Sequence, residues 1–146
     1  MFDRKVDRTT VLLPWSTYTD PEIAHVGKYS YQLEKDGVAF DTYMARFDKL
    51  DRAVCEGKKG FIKIHTEKGS DKILGATVVG GPAGELISII TNGMFNGLGL
   101  SKIGKSTYPY PTYAEGIKKL ADEYNATKMK GVTKSLLRGM FALRKI

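Results

Sequence analysis

One cysteine in 146 residues removes two classes of chemistry at once. Cys55 has no second thiol to pair with, so neither an intramolecular disulfide nor a cysteine-built zinc centre is expected. A reducing compartment suits such a chain. Histidine is almost as scarce, with only His25 and His65. They fall on separate predicted strands with no carboxylate paired beside them, and no metal site is expected. Long apolar runs are missing too: nothing approaches the roughly 18 residues that span a bilayer. Met1-Phe2-Asp3-Arg4-Lys5 opens without the apolar core of an export signal. The expected location is intracellular, cytoplasmic or organellar. Acidic residues are absent from 125 to 146, where six lysines and arginines accumulate, while the first 124 residues carry seventeen basic and sixteen acidic side chains. A nucleic-acid footprint would spread over the folded surface. Here the excess sits in a tail, and nucleic-acid binding is not expected.

What is present is 42% hydrophobic residues, enough for one domain with a real core. Thr9-Thr10-Val11-Leu12-Leu13 reads as a short strand ended by Pro14, and Ile23–Gly27 as a second. Tyr29 to Lys35 is a predicted helix stopped by Asp36-Gly37. A strand follows over Val38 to Ala45; Phe47 to Glu56 carries no clear period. Phe61-Ile62-Lys63-Ile64-His65-Thr66 alternates apolar and polar, with Lys72 to Val79 as hairpin partner. His65 is expected to face solvent. Cys55 is expected to be an inert, partly buried thiol. Trp15, Tyr18, Tyr29, Tyr31 and Tyr43 are read as core and interface aromatics.

The helix after Pro82 is apolar around most of its girth through Leu86, Ile87, Ile89, Ile90, Met94 and Phe95. A surface helix needs one apolar stripe, so this one is expected to be buried on two sides, one against its own sheet and one against another subunit. A last helix spans 113 to 124. Strands and helices without regular βαβ alternation predict an α+β fold: an antiparallel sheet with helices packed on one side, plus a C-terminal basic helix. The expected division is a linker over 1–8, a domain over 9–124 and an amphipathic tail over 125–146.

Gly99-Leu100-Ser101-Lys102-Ile103-Gly104-Lys105-Ser106 matches the phosphate-loop pattern in letters alone. That motif needs a strand before it and a long helix after it; Pro109 and Pro111 forbid the helix. The match is read as chance. The prolines are more informative. In Tyr108-Pro109-Tyr110-Pro111-Thr112 they predict a stiff, extended arm. Thr112 and Glu115 have the spacing of a capping box for the helix that follows. Tyr110 is thereby presented just before a helix start. It either packs, with Glu115 only capping, or offers a phenol to a proton or soft ligand, with Glu115 orienting it.

Three ordered segments carry a resemblance. Pro14-Trp15-Ser16-Thr17-Tyr18-Thr19-Asp20-Pro21-Glu22-Ile23-Ala24-His25-Val26-Gly27 resembles the opening of the C-terminal dimerisation domain of pyridine nucleotide-disulfide oxidoreductases. Ile73 to Gly80, followed by Ala83-Gly84-Glu85-Leu86-Ile87, is similar to that domain's strand and interface helix. Pro109-Tyr110-Pro111-Thr112 with Glu115 falls where glutathione reductase-like members carry His-Pro-Thr-x-x-Glu. Tyr in place of His is similar to the mercuric reductase-like flavoenzymes.

The resemblance implies a homodimer in which each arm completes the partner's active site. Tyr110 and Glu115 would be the catalytic residues, with Pro109 and Tyr110 against the flavin and no metal ligands in this chain. It implies FAD and NAD(P)H in the full-length enzyme, held by upstream domains of the same protein. The chain has no G-x-G-x-x-G fingerprint and no C-x-x-x-x-C pair, and lacks the cysteine pair that mercuric reductases carry near the C-terminus. It is therefore expected to bind no cofactor and to be inactive alone. Dithiol and metal-ion substrates both stay open. The alternative is a free-standing interaction domain whose basic tail binds a membrane surface or an acidic partner.

Overall fold

The structure, a computed structural model, describes residues 12–128. The expected linker 1–8, the first part of the expected strand 9–13 and residues 129–146 of the basic tail lie outside them. Five strands form one sheet: β1 (Trp15–Thr17), β2 (Ile23–Gly27), β3 (Phe40–Arg46), β4 (Phe61–Glu67) and β5 (Ile73–Val79). Their order is β1-β2-β5-β4-β3, and every pairing is antiparallel. The first described strand lies after Pro14, where Thr17 pairs with Ile23 and Trp15 with His25 beside the turn, and Leu12 and Leu13 of the expected strand have no regular structure.

Helix α1 (Ser30–Lys35) follows β2, and an ion pair of 2.7 Å from Lys28 to Asp36 braces its end. The stretch without a clear period proves to be a 3-10 turn, Phe47–Lys49, and α2 (Asp51–Cys55). Then come α3 (Ala83–Phe95), α4 (Leu100–Gly104) and α5, residues 115–128. The hydrogen-bond needs of α3's start are met partly from afar, by Glu22 accepting from the Gly84 amide at 3.2 Å.

Strand alternation puts Ala24, Val26, Ile62, Ile64, Ala76 and Val78 on one face of the sheet, where all are fully buried. Leu86, Ile87 and Ile90 of α3 and Ile117, Leu120, Ala121 and Tyr124 of α5 join them in one hydrophobic cluster. Deleting such a side chain, as in Ile→Ala, generally costs about 2–5 kcal/mol. The α+β architecture is thus a sheet with its main helices on one side.

Two expectations fail locally, and a third, that of the early aromatics, is met in its core part by one residue. His65 is buried, not solvent-facing, because Phe40 packs edge-on to its ring at 5.2 Å and Thr42 bonds its Nδ1 at 2.8 Å. Cys55 is exposed, not partly buried, since it ends a helix whose inward residue is Ala53. Of the early aromatics only Tyr43 enters the core, edge-on to Tyr124. Tyr29 stacks on His25 at 3.6 Å, flanked by Tyr31 and Trp15, and Tyr18 is exposed.

Candidate functional site

The arm begins where α4 ends. Residues 107–109 have no regular structure and the chain bends at 110–111, so the two prolines do exclude helix but do not make a straight finger. Tyr108 anchors the near end: its hydroxyl donates to the Ile103 carbonyl over 3.1 Å, and burial pushes its pKa up. Pro109, Tyr110 and Pro111 are all exposed, Tyr110 by 69%. Its side chain does not enter the core. The phenol donates to Asp51 at the start of α2, and that bond, more than any other influence, raises its pKa above the ordinary 10.

The expected capping box does not form. Thr112 Oγ1 turns back to donate to the Pro109 carbonyl at 2.7 Å, and Tyr113 and Ala114 make a turn before α5 begins at 115. With that turn interposed, the Thr112 hydroxyl makes no bond to an amide of α5. Glu115 is freed from that role as well. One carboxylate oxygen lies 3.4 Å from Lys119, and the other is buried without a partner. Its charge is felt at Tyr110 only as a smaller influence than Asp51.

The far end of the arm is fastened by Tyr113. Its ring packs on Phe47 at 5.0 Å between centroids, and its hydroxyl donates to Glu56 over 2.6 Å. Burial first, then the Glu56 carboxylate, pushes the phenol up to about 12. The same bond, helped by Arg52, holds Glu56 below the usual carboxylate range. Arg52, Glu56, Lys58, Pro82, Pro111 and Tyr113 line a cleft of about 430 Å³ beside the arm. Asp51, Glu56 and Tyr113 were not singled out by sequence reasoning. No local signal could find them, since the bonds join residues 59 and 57 positions apart.

The phosphate-loop letters are explained by packing. A Cβ on Gly99 would collide with the Asp71 carboxylate, and one on Gly104 with the Cβ of Ala121. Helix α4 occupies the middle of the pattern. Among the described residues no group of three or more His, Cys, Asp or Glu side chains could hold a metal, and no helix is long and apolar enough to cross a membrane.

A sheet backed by two helices, with an exposed tyrosine on a proline arm, is the arrangement against which the chain can be compared with known proteins. Residues 13–121 match the family model of the pyridine nucleotide-disulphide oxidoreductase dimerisation domain. The chain belongs to that family. It is 36% identical over 108 residues to a dihydrolipoyl dehydrogenase of Trypanosoma brucei brucei, a match covering 73% of this chain and 22% of the relative. With a mercuric reductase of Streptomyces lividans it shares 33% over 129 residues, covering 88% of this chain and 27% of the relative. The crystal structure of LpdA from Mycobacterium tuberculosis superposes with a TM-score of 0.72 at 26% identity, over 77% of this chain and 25% of that one. The chain thus spans about a quarter or less of the length of most of the relatives it matches. Residues 13–121 correspond to the dimerisation domain of that family.

Proposed function

We propose that the domain pairs with a second copy of itself and that the arm of each copy completes the other's active site. The observation that carries this is the position of Tyr110: 69% exposed, yet tied down by Asp51. A side chain with no role outside its own fold gains little from being both fixed and outward. The two-fold contact is best served by α3. Beyond its sheet-facing side lie half-buried Ile89 and Met94 and exposed Phe95. Next to them is a groove of about 450 Å³ lined by Ser88, Ile89, Asn92, Leu98, Ile103 and Tyr108. The outward side of α5 carries the Lys118–Asp122 ion pair and is the poorer candidate.

In this reading FAD and NAD(P)H are held by other parts of the same enzyme, and this domain alone is inactive. The described residues fit a contact with a flavin through Pro109 and Tyr110, but not its retention, because the one stretch that resembles a phosphate cradle is filled by Asp71 and Ala121. When bound, the flavin would carry electrons between the nicotinamide and a dithiol–disulfide couple or a metal ion, chemistry that belongs to the cofactor. What this chain's residues do is narrower. Tyr110, with a pKa raised above 10, stays a neutral phenol near pH 7 and does not shuttle protons as an imidazole would. It orients the substrate that exchanges electrons with that flavin. Glu115 lies behind the arm as a secondary charge.

Tyr110→Phe in the assembled enzyme tests this. Turnover with the dithiol or metal substrate is expected to fall about tenfold, as for one lost hydrogen bond in a reacting complex. Flavin reduction by NAD(P)H is expected to stay nearly unchanged. Equal losses in both half-reactions would place Tyr110 elsewhere.

A further inference from the structure

Two phenol–carboxylate bonds fasten the arm to a single short helix. Tyr110 donates to Asp51, the first residue of α2, and Tyr113 donates to Glu56, the residue just after its end. Lys119 of α5 adds a third tie by donating to the Lys49 carbonyl, and Arg52 braces Glu56. Glu115, by contrast, has one oxygen facing Lys119 and the other without a partner, so it does not hold the Tyr110 hydroxyl. A phenol has one proton to donate and lone pairs to accept with. The proton of Tyr110 is spent on Asp51. Its oxygen can still accept.

We propose that Asp51 is the positioning residue of the arm, taking the phenol's only proton so that Tyr110 offers its oxygen outward as an acceptor for a thiol S–H. This rests on the reading above in which the arm serves a partner's redox site. It deepens that reading by naming the form of substrate the arm favours. A dithiol brings S–H donors that the phenol oxygen can receive; a disulfide brings none. The carboxylate's charge works in the same direction, because it opposes loss of the phenol proton. Substrate recognition through Tyr110 therefore depends on a residue that touches neither substrate nor cofactor.

The first test reads the phenol itself. Tyrosines of the full chain are labelled with carbon-13 at the ring carbon bearing the hydroxyl, and Tyr110 is assigned by the signal lost in Tyr110→Phe. Asp51→Asn and Asp51→Ala are expected to move the Tyr110 titration down toward the ordinary value near 10. Asp48→Asn, whose carboxylate pairs with Arg46, is expected to leave it in place. An unmoved Tyr110 midpoint in a folded Asp51→Asn chain overturns the proposal. Should that variant fail to fold, Asp51→Glu keeps the charge on a longer stem and must give a shifted midpoint; an unchanged one overturns the proposal equally.

The second test uses the flavin-loaded enzyme. Asp51→Ala is expected to raise the KM for a dithiol about three- to tenfold, the effect of a misplaced hydrogen bond, with the KM for the matching disulfide within about twofold. Equal changes for both overturn the acceptor role. A moved Tyr110 midpoint with both KM values unaltered keeps Asp51 as the tether and overturns the acceptor role, whereas the partner-site reading fails only if Tyr110→Phe lowers both half-reactions equally, so the two claims fail separately.

Discussion

His25 and His65 show how far a single side chain's surroundings can be read in advance. The alternation of Phe61 to Thr66 correctly separates Ile62 and Ile64 from Lys63 and His65. Nothing in that pattern says that Phe40 and Thr42, from the neighbouring strand, close over His65. His25 accepts or donates through Thr77 at 2.9 Å and the Gly27 carbonyl at 3.0 Å, under the Tyr29 ring. Burial lowers both imidazole pKa values, that of His65 to about 4, with nearby Lys63 a further cause. A histidine whose folded pKa lies below its unfolded value near 6.5 favours the unfolded chain as protons are added. Its neutral form is fully stabilising above 6.5, and that stability is lost as pH falls toward 4. Denaturant titrations are therefore expected to show the domain less stable at pH 5 than at pH 7, by about 1–2 kcal/mol from His65. His65→Gln should flatten the slope between those pH values; a wild-type stability flat from 7 to 5 would contradict this account of the site.

At the scale of elements, α3 and the arm divide the work. Helix α3 has more apolar surface than its own sheet covers, as its composition suggested, and Phe95 remains 82% exposed at its end. Wild-type chain is expected to sediment as a dimer at micromolar concentration. Phe95→Glu is expected to weaken that association at least about tenfold by placing a charge in an apolar contact, with the unfolding midpoint unchanged. Strict monomers in both proteins would rule out this face. Most strands and α3 were legible because their signals are local: period-two alternation in β4, the Gly80-Gly81-Pro82 turn before α3, Asp36-Gly37 after α1. The arm was legible only in part. Its prolines exclude helix, but the bend at 110–111 and the short α2 are joined by bonds from Tyr110 and Tyr113 to residues more than fifty positions away. Five residues of helix give too little period to read, and the capping-box letters at Thr112 and Glu115 were outcompeted by a turn inside the arm itself.

For the molecule as a whole, the central claim is that a domain with its own closed core keeps one tyrosine for another chain's chemistry. Symmetry gives that claim a direct test, since a two-fold dimer supplies two equivalent sites, each drawing its arm from the opposite subunit. Hybrid dimers are made from one full-length chain carrying Tyr110→Phe and one whose redox dithiol has been disabled. If the arm acts across the interface, the chain with the intact dithiol receives the intact arm, and about half of wild-type turnover should return. If the arm serves its own chain, every intact dithiol faces an arm without the phenol hydroxyl, and the hybrid should do no better than half of the Tyr110→Phe homodimer; that result would contradict the account.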